Sequence, residues 1–202
     1  MTKEHKTDES AEFPLTLSIS VNGIHMQFRT GRHLFSPQGL DAGTKAMLSS
    51  VSFEQGDKVL DLGCGYGIVG IYAAKQIGAA SITMVDKDEA AVAASRENAR
   101  LNGVPDIRIV QSDGFRQLDE TAYTLILSNP PYHADFSVPK HFIEKGFNRL
   151  ALGGKLILVT KRKAWYKNKM AAVFGGVHID EIDGYYVFTA ERRSYSYATK
   201  NR

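Results

Sequence analysis

The sequence predicts an α/β fold: a mostly parallel seven-stranded sheet with an antiparallel edge hairpin, preceded by a separate N-terminal β-hairpin. Three observations predict it. Apolar strand-like runs and helical periodicities alternate five times from Lys58 onward, the pattern of a parallel sheet. A Gly-rich turn, Gly63-Cys-Gly-Tyr-Gly67, joins the first of those strands to its helix, as in nucleotide-binding corners. Asn22-Gly23 near the start and Asp183-Gly184 near the end each lie between short strand-like runs and mark tight hairpins.

Met1 to Glu12 is charged and has no apolar stretch of signal-peptide type, so residues 1–12 are expected to be a disordered lead-in. Residues 13–190 are expected to form one domain, made of a hairpin and a capping helix (13–50) and a core (51–190). Leu15 to Val21 and Ile24 to Phe28 alternate, placing Leu15, Leu17, Ile19, Val21, Ile24, Met26 and Phe28 on one apolar face. His33 to Gly39 reads as a loop, and Leu40 to Ser50 as a helix over the pocket. Strands are expected at 58–62, 81–85, 107–110, 123–128, 154–160, 177–181 and 185–190. Helices are expected at 68–76, 88–101, 139–151 and 164–174. Asp88 is the expected N-cap of the second, and Gly103 its stop. Residues 191–202 form a basic tail.

Two hundred and two residues with 43% apolar content suit one core of ordinary size. No apolar run is long enough to span a bilayer. The single cysteine, Cys64, forms no internal disulfide, which fits a reducing, cytoplasmic compartment, and it reads as a small loop residue and not a nucleophile. The six histidines show no metal-ligand spacing, so no metal site is expected. No long exposed apolar stripe demands a second copy, which makes a monomer the expectation.

The net charge of +3 is unevenly placed. Lys161 to Lys169 carries five positive charges and no acid, and Glu191 to Arg202 carries four against one. Those runs sum to +8, leaving −5 for the rest of the chain. Trp165 and Tyr166 sit inside the first, Tyr195 and Tyr197 inside the second. Cations interleaved with rings suit nucleic acid, charge for phosphates and rings for bases. Lys161, Arg162, Lys163 and Trp165 are therefore candidate substrate contacts.

The most informative motif is Asn129-Pro130-Pro131-Tyr132, directly after the apolar run Tyr123 to Ser128. It falls where open α/β sheets bind ligands, just past a strand's C-terminal end. Paired prolines stiffen the loop and remove two N–H donors. The Asn129 amide oxygen and the Pro130 carbonyl are then two acceptors that one planar –NH2 group can satisfy together. Tyr132 offers a face for stacking.

Upstream, Gly65, Gly67 and Gly70 match the spacing of the dinucleotide fingerprint. Asp86, nineteen residues past Gly67 at the end of the next strand, suits ribose hydroxyls. Asp61 argues against a dinucleotide, because a carboxylate in that strand end repels a pyrophosphate. It suits a ligand carrying an ammonium and a sulfonium.

Val59-Leu-Asp-Leu-Gly-Cys-Gly-Tyr-Gly67, Asp86, Ser112-Asp-Gly-Phe115 and Asn129-Pro-Pro-Tyr132 together resemble the class I S-adenosylmethionine-dependent methyltransferases, with a Rossmann-like fold. The chain is similar to the small-domain group that includes bacterial 16S ribosomal RNA guanine-N2 methyltransferases, over residues 13 to 190. Several roles are implied by that resemblance. Asp61, Gly63, Cys64, Gly65 and Gly67 hold the methionine portion of S-adenosylmethionine, and Asp86 its ribose. Asp113, Gly114 and Phe115 hold the adenine. Asn129 and Pro130 accept hydrogens from the target amine, Asn129 also contacts the cofactor, and Tyr132 stacks on the target base. Phe35, Ser36 and Asp41 are candidate contacts of the cofactor or the target, and His133 of the target. The implied partner is RNA, ribosomal RNA or a small ribosomal subunit. Asn-Pro-Pro-Tyr also serves adenine-N6 and glutamine-N5 methyltransferases, so those targets stay open. An NAD-dependent oxidoreductase survives only on the glycine spacing, and a non-catalytic module is a further alternative.

Overall fold

The computed structural model describes residues 13–31, 34, 36, 39–130 and 136–198. The expected lead-in and the last residues of the tail lie outside them, as do Phe35, Pro131, Tyr132 and His133.

The chain opens with β1 (Leu15–Val21) and β2 (Ile24–Thr30), paired antiparallel with Val21 opposite Ile24. Asn22 and Gly23 both take positive φ, at 48° and 80°. That is the turn whose twist matches two flanking strands. Ile19, Val21, Met26 and Phe28 are buried, so the alternation aims one face inward as expected. The hairpin lies against α3 (Glu89–Leu101) through two asparagines one turn apart. Asn98 accepts from the Arg29 N–H at 2.7 Å and donates to the Arg29 carbonyl at 2.9 Å. Asn102 repeats the pair with Gln27, at 3.0 and 2.6 Å. The two side chains take the place of a third strand along the edge of β2, satisfying backbone groups that an open edge leaves bare.

The main sheet contains β3 (Val59–Leu62), β4 (Ile82–Asp86), β5 (Arg108–Gln111), β6 (Tyr123–Ser128), β7 (Leu150–Thr160), β8 (His178–Ile182) and β9 (Tyr185–Glu191). Their spatial order is β5-β4-β3-β6-β7-β9-β8. The first five run parallel, and β9 pairs antiparallel with both β7 and β8. The remaining helices are α1 (Ala42–Ser50), α2 (Ile68–Ile77), α4 (Ser137–Arg149) and α5 (Lys163–Phe174).

Strict alternation along the strands divides the core in two. Val59, Ile82, Met84, Leu125, Leu127, Ile157 and Val159 face α1, α2, α3 and the hairpin. Leu60, Leu62, Val85, Ile126, Leu156, Leu158 and Phe188 face α4 and α5. Both faces of the central strands are covered, which is why they read as nearly continuous apolar runs.

One expected boundary moves. The helix read over 139–151 spans Ser137–Arg149, and β7 begins at Leu150, not at 154. Leu150 is buried and pairs with Tyr123, across a register shift between Tyr123 and Leu125. Gly153 and Gly154 exchange hydrogen bonds with Arg192. A side chain at Gly154 would stand 2.7 Å from the Tyr123 carbonyl, so the strands close only over glycine. The tail read from 191 also departs from expectation: β9 runs to Glu191, and the Ala198 N–H donates to Val173, tying the segment back to α5.

Candidate active site

From β3 the chain moves outward to β4 and β5, then returns to β6 on the other side of β3. That reversal opens a crevice at the C-terminal ends of β3, β4 and β6, the place where open α/β sheets bind ligands. A cavity of about 260 Å³ lies there.

Asp61 forms its floor. It is 3% exposed, on the β3 face that meets α2, and its carboxylate accepts from the Gly70 N–H at 2.9 Å. A side chain at Gly70 would collide with Met84, at 2.3 Å from its sulfur, so glycine lets α2 approach closely enough for that bond. Burial pushes the Asp61 carboxyl up to about 7, against the lowering effect of the Gly70 bond, and Asp86 adds to the rise.

The Gly-rich turn hangs from β4, where the Gly63 and Cys64 N–H groups both donate to the Val85 carbonyl at 2.9 Å. Gly65 has φ of 56°, a side chain there would meet nothing within 4 Å, and its N–H donates to Asp86 at 2.9 Å. Its bare backbone therefore borders the cavity. The other Asp86 oxygen accepts from the Asp88 N–H at 3.0 Å. A carboxylate has about four acceptor positions, so these two bonds orient it and leave capacity for hydroxyl donors.

Two residues of α3 hold this turn from behind. Ser95 donates to the Gly65 carbonyl at 2.8 Å, and Asn98 donates to the Tyr66 carbonyl at 2.9 Å. Tyr66 in turn donates to the carbonyls of Ser36 and Gly39, both at 3.2 Å. Burial pushes the Tyr66 phenol up, and Asp41 adds to it. None of these supports was read from the sequence. Their signal was thin: a serine and an asparagine three residues apart in a helix, on the face toward the loop.

Cys64 lines the cavity, but burial pushes its thiol well up, and Asp61 and Asp86 push the same way. A thiol so placed stays protonated and is no nucleophile.

Asp113 and Gly114 border the far side of the cavity with Ser112. Asp113 is exposed and lies 3.3 Å from Arg116. Phe115, placed beside the adenine by the resemblance, does not line the cavity. It is 4% exposed and packs edge-on to Phe142 in the core beneath. Val138 and Phe142 of α4 are the apolar wall in its stead. Gly67 is likewise set back: it is the left-handed N-cap of α2, packed against Ile71 and Ser95.

Asn129 and Pro130 stand on the rim at the end of β6. The Asn129 amide nitrogen donates to the Asp41 carboxylate at 2.7 Å and to the Thr44 hydroxyl at 3.0 Å. The helix expected to cap the pocket does so through these residues.

The basic segment follows β7, on the same edge of the sheet, since β6 and β7 run parallel with Ser128 opposite Leu158. Trp165 stacks on Phe136, with ring centroids 4.4 Å apart, and Arg162 lies over the other ring at 5.2 Å. Lys161 lies over Tyr185 at 4.8 Å. Lys163 is drawn to Glu181 at 3.6 Å, and Lys169 turns inward to an ion pair with Glu144. Tyr197 donates to the Glu144 carbonyl and packs on Phe147, so it is a structural ring, whereas Tyr195 is 80% exposed.

No group of three or more His, Cys, Asp or Glu that could hold a metal ion occurs among the described residues, and no helix there is long and apolar enough to cross a membrane.

A buried carboxylate where a dinucleotide would lay its pyrophosphate repels that ligand and suits a cationic one. On a Rossmann-like sheet, that chemistry fits the class I methyltransferases. The chain belongs to the methyltransferase small domain family, whose model matches residues 25–189. It is 31% identical over 185 residues to the uncharacterized protein YbxB of Bacillus subtilis, covering 88% of this chain and 91% of that one. It is 30% identical to the ribosomal RNA large subunit methyltransferase G of Klebsiella pneumoniae, covering 82% and 46%. It is 29% identical to the ribosomal RNA small subunit methyltransferase C of Psychromonas ingrahamii, covering 82% and 48%. The chain thus spans about half the length of these two enzymes. Its fold superposes with a TM-score of 0.82 and 25% identity on the Thermus thermophilus 16S rRNA guanine-N2 methyltransferase solved with AdoMet and guanosine, covering 89% of this chain and 50% of that one. The family's methyl donor is S-adenosylmethionine. The Asp61 floor, the open backbone at Gly65 and the Asp86 carboxylate fit its ammonium and sulfonium, its close approach and its ribose.

Proposed function

We propose that this protein methylates the N2 amine of a guanine in ribosomal RNA, in the small subunit, with S-adenosylmethionine as donor. The observation that carries the reading is the anchored Asn129 amide at the rim of the crevice, beside the Pro130 carbonyl. The Thermus relative solved with AdoMet and guanosine, and the curated relatives named as ribosomal RNA methyltransferases, support the choice of target.

In this reading Asp61, Cys64 and the backbone of Gly63 and Gly65 hold the methionine portion, Asp86 the ribose hydroxyls, and Asp113 with Gly114 the adenine edge. When bound, the donor supplies a methyl group on a sulfonium, which the amine's lone pair takes while the C–S electrons leave on sulfur. The protein's part is positioning. The Asn129 carbonyl oxygen and the Pro130 carbonyl each accept one hydrogen of the target amine. Those bonds turn the nitrogen lone pair out of conjugation with the ring and aim it into the crevice. The surplus proton leaves to solvent. Tyr132 is assigned to stacking on the base, and Phe35 and His133 to substrate contact. A guanine in a paired region must first leave its stack. The Phe136–Trp165 stack with Lys161 and Arg162 takes the neighbouring RNA. Ribosomal RNA as substrate sets the site of action in the cytoplasm.

The similarity to the large subunit methyltransferase G enzymes gives large-subunit RNA as the second reading. One experiment tests both. The protein is incubated with methyl-labelled S-adenosylmethionine and separated ribosomal subunits from cells lacking its gene, and the labelled RNA is digested to nucleosides. N2-methylguanosine from the small subunit is the expected product, and the same nucleoside from the large subunit moves the target. Label in N6-methyladenosine, or only in protein as N5-methylglutamine, overturns the guanine reading. Asn129→Ala is expected to lose about 10²-fold or more in kcat with donor binding intact, the scale of a lost transition-state acceptor.

A further inference from the structure

We propose that Asp41 is a positioning residue for methyl transfer: its carboxylate locks the Asn129 amide so that the carbonyl oxygen, and not the nitrogen, is presented to the target amine. The inference rests on the reading of Asn129 as the amine acceptor and deepens it.

The geometry is specific. A primary amide nitrogen carries two hydrogens, and both have acceptors at the N-terminal end of α1: the carboxylate of its N-cap Asp41 at 2.7 Å and the Thr44 hydroxyl at 3.0 Å. The amide is planar, so fixing both hydrogens fixes the oxygen on the opposite side. In the flipped amide, two acceptor oxygens would face each other at about the same separation, and a charge-assisted hydrogen bond would become a repulsion. Asp41 is itself held. It is the N-cap of α1, and the same carboxylate oxygen accepts from the Thr44 N–H at 2.8 Å. One helix end thus sets the orientation of a residue 88 positions away in the chain.

The charge matters as well as the direction. An anion accepting the amide's N–H draws it toward the form with more negative charge on oxygen, since linked hydrogen bonds polarise one another. That oxygen is the atom asked to accept from the target amine. A neutral acceptor in place of Asp41 would keep the orientation and weaken the polarisation.

The test separates capping from positioning. Serine is a good N-cap, but its hydroxyl is too short to reach Asn129. Asp41→Ser is expected to keep the fold and the donor Kd within about threefold, and to lower kcat about 10²-fold, the scale of a misplaced group. Asp41→Asn, which keeps an acceptor without the charge, is expected to fall between Asp41→Ser and wild type. The exchange is the sharper measurement. Asn129→Asp alone opposes two carboxylates and is expected to be nearly inactive. Asp41→Asn with Asn129→Asp restores a donor–acceptor pair with its sense reversed, and is expected to exceed Asn129→Asp at least tenfold in kcat on ribosomal subunits. Wild-type kcat in Asp41→Ser, or an exchange no better than Asn129→Asp, overturns the proposal. If Asn129→Ala is itself fully active, the acceptor reading has failed and not only the role of Asp41.

Discussion

The Gly70 N–H and the Asp61 carboxylate are joined at 2.9 Å beneath the crevice, and among the described residues this is the one hydrogen bond to a carboxylate that is 3% exposed. One bond offsets part of the desolvation cost, and the carboxyl rises to about 7. The rise works against the free protein. Because the folded value lies above the unfolded value of 3.8, folding takes up a proton, and stability falls as pH rises from about 4 through about 7. Asp61→Asn keeps an acceptor for Gly70 and removes the charge. It is expected to raise the Tm of the donor-free protein at pH 8 by several degrees, at about 2–4 °C per kcal/mol for a chain of this size. The gain should shrink as pH falls toward 4. The same variant should bind S-adenosylmethionine at least tenfold more weakly. Scanning calorimetry at several pH values, with a donor titration, checks both, and a gain over wild type that is no larger at pH 8 than at pH 5 refutes the account.

A linked prediction concerns protons. A cationic ligand beside Asp61 needs it ionised, so donor binding should expel a proton below about pH 7 and strengthen as pH rises through that value. Calorimetric titration at pH 6 in two buffers of different ionisation enthalpy reads the proton directly. Equal heats in both buffers would count against Asp61 as the residue facing the ammonium.

Asp86 does two jobs that one substitution would confound. It orients Gly65 and Asp88 through their N–H groups, and it is assigned the ribose hydroxyls. Asp86→Ala removes both and should weaken S-adenosylhomocysteine by about 1.5–3 kcal/mol, the scale for lost bonds to a charged group. Asp86→Asn keeps an acceptor for Gly65 and should lose less. Affinities equal to wild type in both variants would remove Asp86 from the ribose.

Asn98 is fully buried, and its side chain meets Arg29 twice and the Tyr66 carbonyl once. Asn98→Ala takes a partner from three backbone groups, of which the Tyr66 carbonyl is buried and the two of Arg29 are part-buried. The expected cost is roughly 3 kcal/mol, with Tm lowered by about 6–12 °C. Because one of those groups belongs to the Gly-rich turn, donor affinity should fall as well. A loss of stability alone, with an unchanged donor Kd, would limit Asn98 to holding the hairpin.

The strands, both hairpin turns and the placement of Asp61, Asp86 and Asn129 at strand ends were legible, because alternation and turn chemistry are local signals. The supports were not. Asp41, Ser95, Asn98 and Tyr66 act across 27 to 88 residues of chain. In sequence Ser95 and Asn98 are ordinary polar residues, Tyr66 reads only as part of the Gly-rich turn, and Asp41 only as a candidate cofactor or target contact; the fold alone brings each to the loop it holds. Phe115 misled for the converse reason: an aromatic in a ligand-like motif reads the same whether it faces the cavity or the core. The end of α4 was misplaced because Leu150 fits a helix by propensity, while pairing with Tyr123 decides its conformation.

The basic segment divides once its partners are seen, and the division is testable. Lys161, Arg162 and Lys163 all lie over rings, but Lys163 and Lys169 also have acidic neighbours, which no ion pair among the described residues gives Lys161 or Arg162. If those two meet phosphates, Lys161→Ala and Arg162→Ala should each weaken RNA binding and reduce the salt slope of log Kd by about 0.7–0.9. Lys169→Ala should leave the slope unchanged and cost stability through Glu144. Trp165 poses a different question, because its face already rests on Phe136. Trp165→Ala should weaken RNA by about 1–3 kcal/mol, the range for a lost stacking platform, with no change in slope. Binding curves on one RNA at four salt concentrations distinguish the roles. Slopes unaltered in Lys161→Ala and Arg162→Ala, with donor binding and Tm intact, would move the RNA path away from the end of β7.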